Sequence, residues 1–310
     1  KLLLILLCLP MIGLGQNVYI PDANFKAYLI GNTAINTNGD SEIQVSEATI
    51  FSGNISLFSG FYSDLTGIES FTALSSLSVQ NNQITTLDVS QNTALTSLSV
   101  QNIQLIILDV SQNTALTSLS VENNQITTLD VSQNTALTNL YCSSNQLTNI
   151  DISQNTSLES FVCDNNLLTN LNLSANTSLR YLQCNYNLLT SLDLSANTNL
   201  EVLGCAYNEL ININLSQNNL LFYLNCKNNQ LTSLDLSQLS CSLQINESDF
   251  SENPNLSCIE VTDLSCWNSF LNYLDPQHYY SNNCPSPSSI QEHTTNKELL
   301  KITDLIGRET

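Results

Sequence analysis

The chain has 310 residues, enough for one large domain or two ordinary ones, and only 11% of them are charged while 42% are hydrophobic. Twenty-seven acidic residues against seven basic ones give a formal net charge of −20. That balance excludes nucleic-acid binding, which needs clustered Lys and Arg to displace counterions, and docking on an anionic membrane surface, while it suits solubility or affinity for cations.

The chain opens with Lys1, an apolar run over Leu2 to Leu7 and the stretch Cys8 to Gly15, with small residues at Gly13 and Gly15. This order reads as a secretory signal peptide over 1–15, cleaved near Gly15. About 14 apolar residues are too few to span a bilayer, so no stable membrane insertion is expected. Bulky Leu6 and Leu7 ahead of Cys8 do not suit a lipoprotein box.

Residues 16–73 are expected to form an N-terminal cap and a lead-in coil. Ile20 to Ile30 reads as a short amphipathic helix, with Pro21 and Asp22 at its start and Gly31 at its end. The following stretch, Asn36 to Glu47, resembles a calcium loop of the EF-hand kind. The resemblance implies calcium as a cofactor, held by Asn36, Asn38, Asp40, Glu42 and Glu47. Two positions depart from the pattern: Asn36 stands where Asp is usual, and Ser41 stands where Gly is usual. The simpler reading is a helix–loop–helix cap, with a second helix beginning in Ser46 to Phe51. Residues 52–73 read as an irregular lead-in coil.

From Leu74 to Ser240 the sequence repeats with a period of 21, and internal repeats decide architecture before any other signal. Leucines recur at 74, 95, 116, 137, 158, 179, 200 and 221. The unit is L-x-x-L-x-[VC]-x-x-N-x-[LI]-T-x-L-D-[VL]-S-x-N-T-x, in eight copies. Leu140 and Cys142, two apart, share one face of a short strand, so residues 139, 141 and 143 point the other way. The second half of each unit, such as Leu129 to Ser132, also alternates with period 2 and is too short for a full helix. One coil cannot bury its own apolar face, but stacked coils make a continuous core. At about 4.8 Å per paired strand the array is roughly 40 Å long, with a parallel sheet along one side.

Three columns follow from the repeat. Asn82, Asn124, Asn145, Asn166, Asn187, Asn208 and Asn229 lie where the chain turns sharply inside the coil, and a buried amide there can satisfy both an N–H and a C=O. Ile103 interrupts this column, which predicts a weaker or wetter second coil. Asp88, Asp109, Asp130, Asp151, Asp193 and Asp235 lie between apolar residues and should face outward. They form either a cation-binding row or a solvated face with local side-chain-to-backbone bonds. Cys142, Cys163, Cys184, Cys205 and Cys226 suit a small apolar core residue. Stacked neighbours in parallel strands are poorly placed for disulfides, and a straight row does not converge on zinc.

The motif L-x-x-L-x-C-x-x-N-x-L is similar to a leucine-rich repeat, and its length and cysteine column resemble the bacterial internalin-like class. The resemblance implies a leucine-rich-repeat solenoid, a parallel β-sheet of 21-residue coils behind a short helical N-terminal cap, used as a scaffold for adhesion or protein recognition.

Past the repeats, 241–284 is expected to cap the solenoid. Cys241, Cys258, Cys266 and Cys284 form an even set in a secreted chain, suggesting one or two bridges. Cys258 with Cys284 is the first pairing to expect, because Asn255 to Ile259 resembles a final, degenerate coil. Residues 285–296, opening with Pro285-Ser286-Pro287, are a linker by composition. Leu299 to Arg308, ending in D-x-x-G-R, resembles a piece of the C-terminal sorting domain of the type IX secretion system of Bacteroidetes, which implies a truncated sorting domain over 297–310 and a secreted or outer-cell-surface location. An ordinary amphipathic tail is the simpler alternative.

No catalytic constellation stands out, and no enzyme is expected: the only histidines, His278 and His293, lie outside the repeats and read as solvated tail residues. Binding is the better reading, because the outward residues of such a sheet form an extended concave surface. In the first three coils that surface is small and bland, from Ser76 to Glu122. From the fourth it carries Tyr141, Val162, Asp164, Tyr181, Gln183, Asn185, Tyr223, Asn225 and Lys227, with Arg180 beside them and Tyr186 and Tyr207 at the adjoining edge. Tyr and Asn with an Arg suit recognition of a protein or glycan ligand, though Tyr also tolerates exposed strand positions. The alternatives are a structural spacer or carrier without a specific ligand, or a scaffold for an enzymatic domain elsewhere in the gene.

Overall fold

The computed structural model describes residues 15–59, 61–239, 248–267 and 274–285. Most of the expected signal peptide, most of the linker, the whole sorting-domain piece, His293, Cys241 and the side chain of Cys266 lie outside the described residues.

Helix α1 (Ala23–Gly31) starts where Asp22 accepts hydrogen bonds from the amides of Asn24 and Phe25, which satisfies two of the orphan donors at a helix start. The other oxygen of Asp22 accepts from the amide and hydroxyl of Ser63, tying the cap to the lead-in coil. A second helix, α2 (Val45–Ile50), begins with a capping box between Gln44 and Glu47. Phe25 and Leu29 turn inward and close the apolar end of the stack.

The solenoid follows as nine parallel strands among the described residues, one per coil: β1 (Asn54–Phe58), β2 (Ser76–Gln80), β3 (Ser97–Gln101), β4 (Ser118–Ser120), β5 (Asn139–Tyr141), β6 (Ser160–Val162), β7 (Tyr181–Gln183), β8 (Val202–Gly204) and β9 (Tyr223–Asn225). Neighbours pair in sequence order, so Leu98 faces Leu119 and Leu140 faces Phe161. The lead-in coil contributes β1 to this sheet and is therefore a full rung, not an irregular approach. Its pairing of Ile55 with Leu77 and Leu57 with Val79 carries the apolar columns one coil further back.

The alternation read from the sequence is the alternation of burial. Leu119, Leu140, Phe161, Leu182, Leu203 and Leu224 are wholly buried, as are the five cysteines of the repeats. The Asn column behaves as an internal ladder. Asn145 accepts from the amide of Ile126 and donates to the carbonyls of Val121, Cys142 and Ser143. Ile103 is buried in the same column without an amide to offer, and Asn124 accepts instead from both Ile103 N and Leu105 N. A second amide ladder, Asn92, Asn113, Asn134, Asn155, Asn176, Asn197 and Asn218, is fully buried on the other arm of the coil. Each donates to two backbone carbonyls of earlier coils, as Asn134 does to Val110 and Asn113.

Past β9 the stacking continues with a longer step. Asp249 bridges Asn225, Asn253 takes the next place in the Asn ladder, and Phe250 is buried. On the opposite arm β10 (Leu234–Asp235), β11 (Cys258–Glu260) and β12 (Tyr279–Ser281) form a second parallel sheet. Cys258 and Cys284 are joined by a disulfide, with Cα atoms 5.8 Å apart. His278 is not a solvated tail residue. It is 8% exposed, accepts from the amide of Asp275 at Nδ1, and pairs through Nε2 with the carboxylate of Asp275 at 3.4 Å, so it pins the turn that brings β12 to the cap.

Candidate recognition surface

The concave face is a grid whose rows are coils and whose columns are the outward positions of each strand. In β3, β4 and β6 those positions carry serines, whose short side chains leave space above the sheet. Tyr141 and Tyr181 rise beside them, and the result is a shallow depression lined by Ser99, Gln101, Ser118, Ser120, Glu122, Tyr141, Ser160, Val162 and Tyr181. Three of the ten residues read from the sequence as ligand-binding, Tyr141, Val162 and Tyr181, line it. Six others come from coils that look bland in sequence or from an unremarkable serine column. The surface therefore does not begin at the fourth coil: small side chains in the second and third coils are what make the depression.

Beside it a hydrogen-bonded chain crosses the sheet. Gln183 Nε2 donates to Tyr181 Oη at 2.9 Å, and Asn185 Nδ2 donates to Gln183 Oε1 at 2.6 Å and to Asp164 Oδ1 at 3.0 Å. Asp164 Oδ1 also accepts from Asn185 N at 2.6 Å. Gly204 makes room for this chain, since a Cβ there would sit 2.5 Å from Gln183 Oε1. Burial pushes the Asp164 carboxyl up to about 6, against the lowering hydrogen bonds from Asn185 and with a further rise from the charge of Glu122. Ser143, between them in the column, is 9% exposed, and its Oγ has no hydrogen-bond partner among the described residues.

Both cations of the expected patch are already engaged. Arg180 pairs with Glu201 at 2.7 Å, and Lys227 lies 3.6 Å from Asp249 and 3.2 Å from Glu252. Tyr223, Asn225 and Lys227 sit on or next to β9 and away from the depression, at the junction with the C-terminal cap. At the sheet edge Tyr186 and Tyr207 stack with centroids 4.2 Å apart and planes 7° from parallel. Both have φ of 54°, in the left-handed region that other coils fill with Asn or Ser, a conformation that is costly for a bulky side chain.

The N-terminal loop spends its oxygens internally. Glu47 accepts from Thr37 N, Thr37 Oγ1, Asn38 N and Gln44 N. Burial raises its carboxyl, but those bonds outweigh it and hold the group below its ordinary range. Asn36 Oδ1, Asn38 Oδ1 and Asp40 Oδ1 accept from the amides of Gly39, Asp40 and Glu42, and Glu42 pairs with Lys26 at 2.6 Å. Among the described residues no three His, Cys, Asp or Glu side chains converge as metal ligands, and the loop's oxygens are held by its own amides.

The other two polar columns resolve similarly. Asp88, Asp109, Asp130, Asp151, Asp193 and Asp235 each accept from the amide two residues on. Burial pushes the thiols of Cys163, Cys184 and Cys205 well up, which removes the thiolate needed for metal or redox chemistry.

No protein-family model and no curated protein matches the chain. Among solved structures it is similar to an internalin (inlF) from Listeria monocytogenes, at 19% identity over 84% of this chain and 83% of that one, with a TM-score of 0.60. It is also similar to the functional domain of InlJ from Listeria monocytogenes, which includes a cysteine ladder, at 29% identity over 86% of this chain and 70% of that one, with a TM-score of 0.47. A third is the leucine-rich-repeat ectodomain of the plant membrane receptor kinase GASSHO1/SCHENGEN3 from Arabidopsis thaliana, in complex with Casparian strip integrity factor 2. It matches at 19% identity over 75% of this chain and 28% of that one, with a TM-score of 0.55. With the parallel 21-residue coils, the first and third of these identify the fold as a leucine-rich-repeat solenoid.

Proposed function

We propose that this solenoid is a binding module, secreted or held at the outer cell surface, that recognises a protein through its concave face. The observation that carries this reading is the depression of β3 to β7, where a serine floor lies beside two tyrosines. Tyrosine supplies large contact area at low conformational cost, and short neighbours let a partner side chain reach the sheet. The plant ectodomain of the same fold is seen with its factor bound, which supports the reading by analogy of scaffold alone.

The test replaces Tyr141, Tyr181 and Tyr223 together with Ala and compares binding with the wild-type chain on arrays of extracellular proteins and of glycans. A protein bound by the wild type and lost by the triple variant supports the proposal. Selective loss of a glycan instead replaces protein by glycan as the ligand class. Binding unchanged by the three substitutions removes the concave face as the working surface and leaves the spacer reading.

A further inference from the structure

Resting on the reading that the concave face binds protein, we propose that the margin of the depression, where Glu122 lines it and Asp164 stands beside it, is a socket for one basic side chain of the partner, arginine preferred over lysine, held between the two carboxylates and next to Tyr141 and Tyr181. Glu122 and Asp164 occupy one column of the concave face, two coils apart, with Ser143 between them. In-register stacking at ~4.8 Å per strand sets their backbones about 10 Å apart. Side chains rising from backbones that far apart leave room for a guanidinium between them, hydrogen-bonded from both sides at ~2.8 Å. Among the described residues no third His, Cys, Asp or Glu joins them in a metal-ligand cluster, whereas a divalent cation such as calcium takes about six to eight oxygens.

Three observations single out this place. First, neither carboxylate has a cationic partner among the described residues, although Arg180 and Lys227 on the same side of the solenoid are each engaged by carboxylates. Among the described residues Glu122 accepts only from Ser120 Oγ at 3.2 Å, and both hydrogen bonds to Asp164 fall on Oδ1, leaving Oδ2 to a ligand. Second, Ser143 Oγ is buried between them with no hydrogen-bond partner among the described residues, and a bound N–H donor would supply one. Third, Tyr141 and Tyr181 stand in the same depression as Glu122, where a cation passing their rings gains from the aromatic quadrupole. Charge complementarity works at long range as well, since a chain of net charge −20 attracts basic surfaces and speeds encounter with them. The planar fork of arginine matches two facing carboxylates and stacks on tyrosine, which the compact ammonium of lysine does not.

The experiment titrates the chain into a fluorescein-labelled Gly-Arg-Gly-Gly peptide, its lysine counterpart and its citrulline counterpart, followed by anisotropy at low salt. Saturable binding is expected in the order arginine, lysine, citrulline, with citrulline at least tenfold weaker than arginine. Glu122→Gln, whose side chain supports no backbone group, should weaken arginine binding about tenfold. The double variant E122Q/D164N should weaken it further. The charge-matched variant D109N/D130N, on the opposite arm of the coils, should stay within twofold of wild type. Equal weakening by E122Q/D164N and D109N/D130N, equal binding of the citrulline peptide, or no saturable binding of the arginine peptide would overturn the socket. If Y141A/Y181A abolishes capture of a protein found on the arrays while E122Q leaves it intact, the socket falls and the concave binding face stands. If neither variant matters to that capture, both readings fall.

Discussion

Replacing Asn124 by Ala should cost far more stability than replacing Asn145, although the two occupy equivalent places in the ladder. In a regular coil the amides back each other up. Without Asn145, the carbonyl of Val121 keeps Asn124 as a donor, that of Cys142 keeps Asn166, and that of Ser143 keeps the amide of Asn123. Only the amide of Ile126 loses its acceptor. Beside Ile103 that redundancy is missing. Val100 O accepts from the Asn124 side-chain amide, and Ile103 N and Leu105 N both donate to Asn124 Oδ1. Asn124→Ala thus strands three buried backbone groups where Asn145→Ala strands one. At about 1–2 kcal/mol for each stranded group, the expected losses are roughly 3–6 and 1–2 kcal/mol. Urea unfolding followed by far-UV circular dichroism measures both, with matching m-values showing that the same unit unfolds. Equal losses would refute the reasoning, because they would mean that water or a backbone shift replaces the amide in the second coil.

Asp164 adds a pH dependence of unusual sign. Its carboxyl is raised from 3.8 to about 6 in the folded chain, so the fold binds the extra proton between about pH 4 and 6. Its contribution to stability is greatest below that window and falls as pH rises through it, by roughly 2 kcal/mol after allowing for partial solvent screening. The difference in unfolding free energy between wild type and Asp164→Asn, measured from pH 4 to 8, should show this slope, and a flat difference would contradict it. The five repeat thiols are buried and should resist iodoacetamide in the native chain, then all react in urea, as mass spectrometry would register; native labelling of any of them would place it outside the core. Breaking Cys258–Cys284, which spans 26 residues, should destabilise the C-terminal cap by about 3 kcal/mol on chain-entropy grounds, seen as earlier hydrogen exchange in 249–284 with the central coils unchanged. Millimolar calcium should leave the melting temperature unaltered, because the loop oxygens of Asn36, Asn38, Asp40 and Glu47 are occupied by their own amides; a rise in melting temperature would show that the loop opens to take the ion.

The solenoid itself was legible in the sequence, because a strict 21-residue period leaves one packing solution: identical apolar positions stack on one another, and strand parity then dictates which residues face out. The same logic placed the cysteines and the turn asparagines inside. It gave no role to the second amide ladder, since Asn134 or Asn176 looks like any polar residue in an outer turn until the coil closes over it. The first rung, β1, was hidden because its sequence lacks the motif and only its pairing with β2 reveals it. The recognition surface was half legible. Tyr141 and Tyr181 announce themselves, but a depression is made by what is absent, and the small serines of the second and third coils acquire meaning only when stacked beside the tyrosines. Pairing across coils also lies beyond any linear reading. Arg180 and Glu201 are 21 residues apart, while Lys227 meets Asp249 and Glu252 only because the coil after β9 is longer than the repeat. Local spacing determines the columns; which charges in them are neutralised, and which remain for a partner, is decided by neighbours that only the closed solenoid brings together.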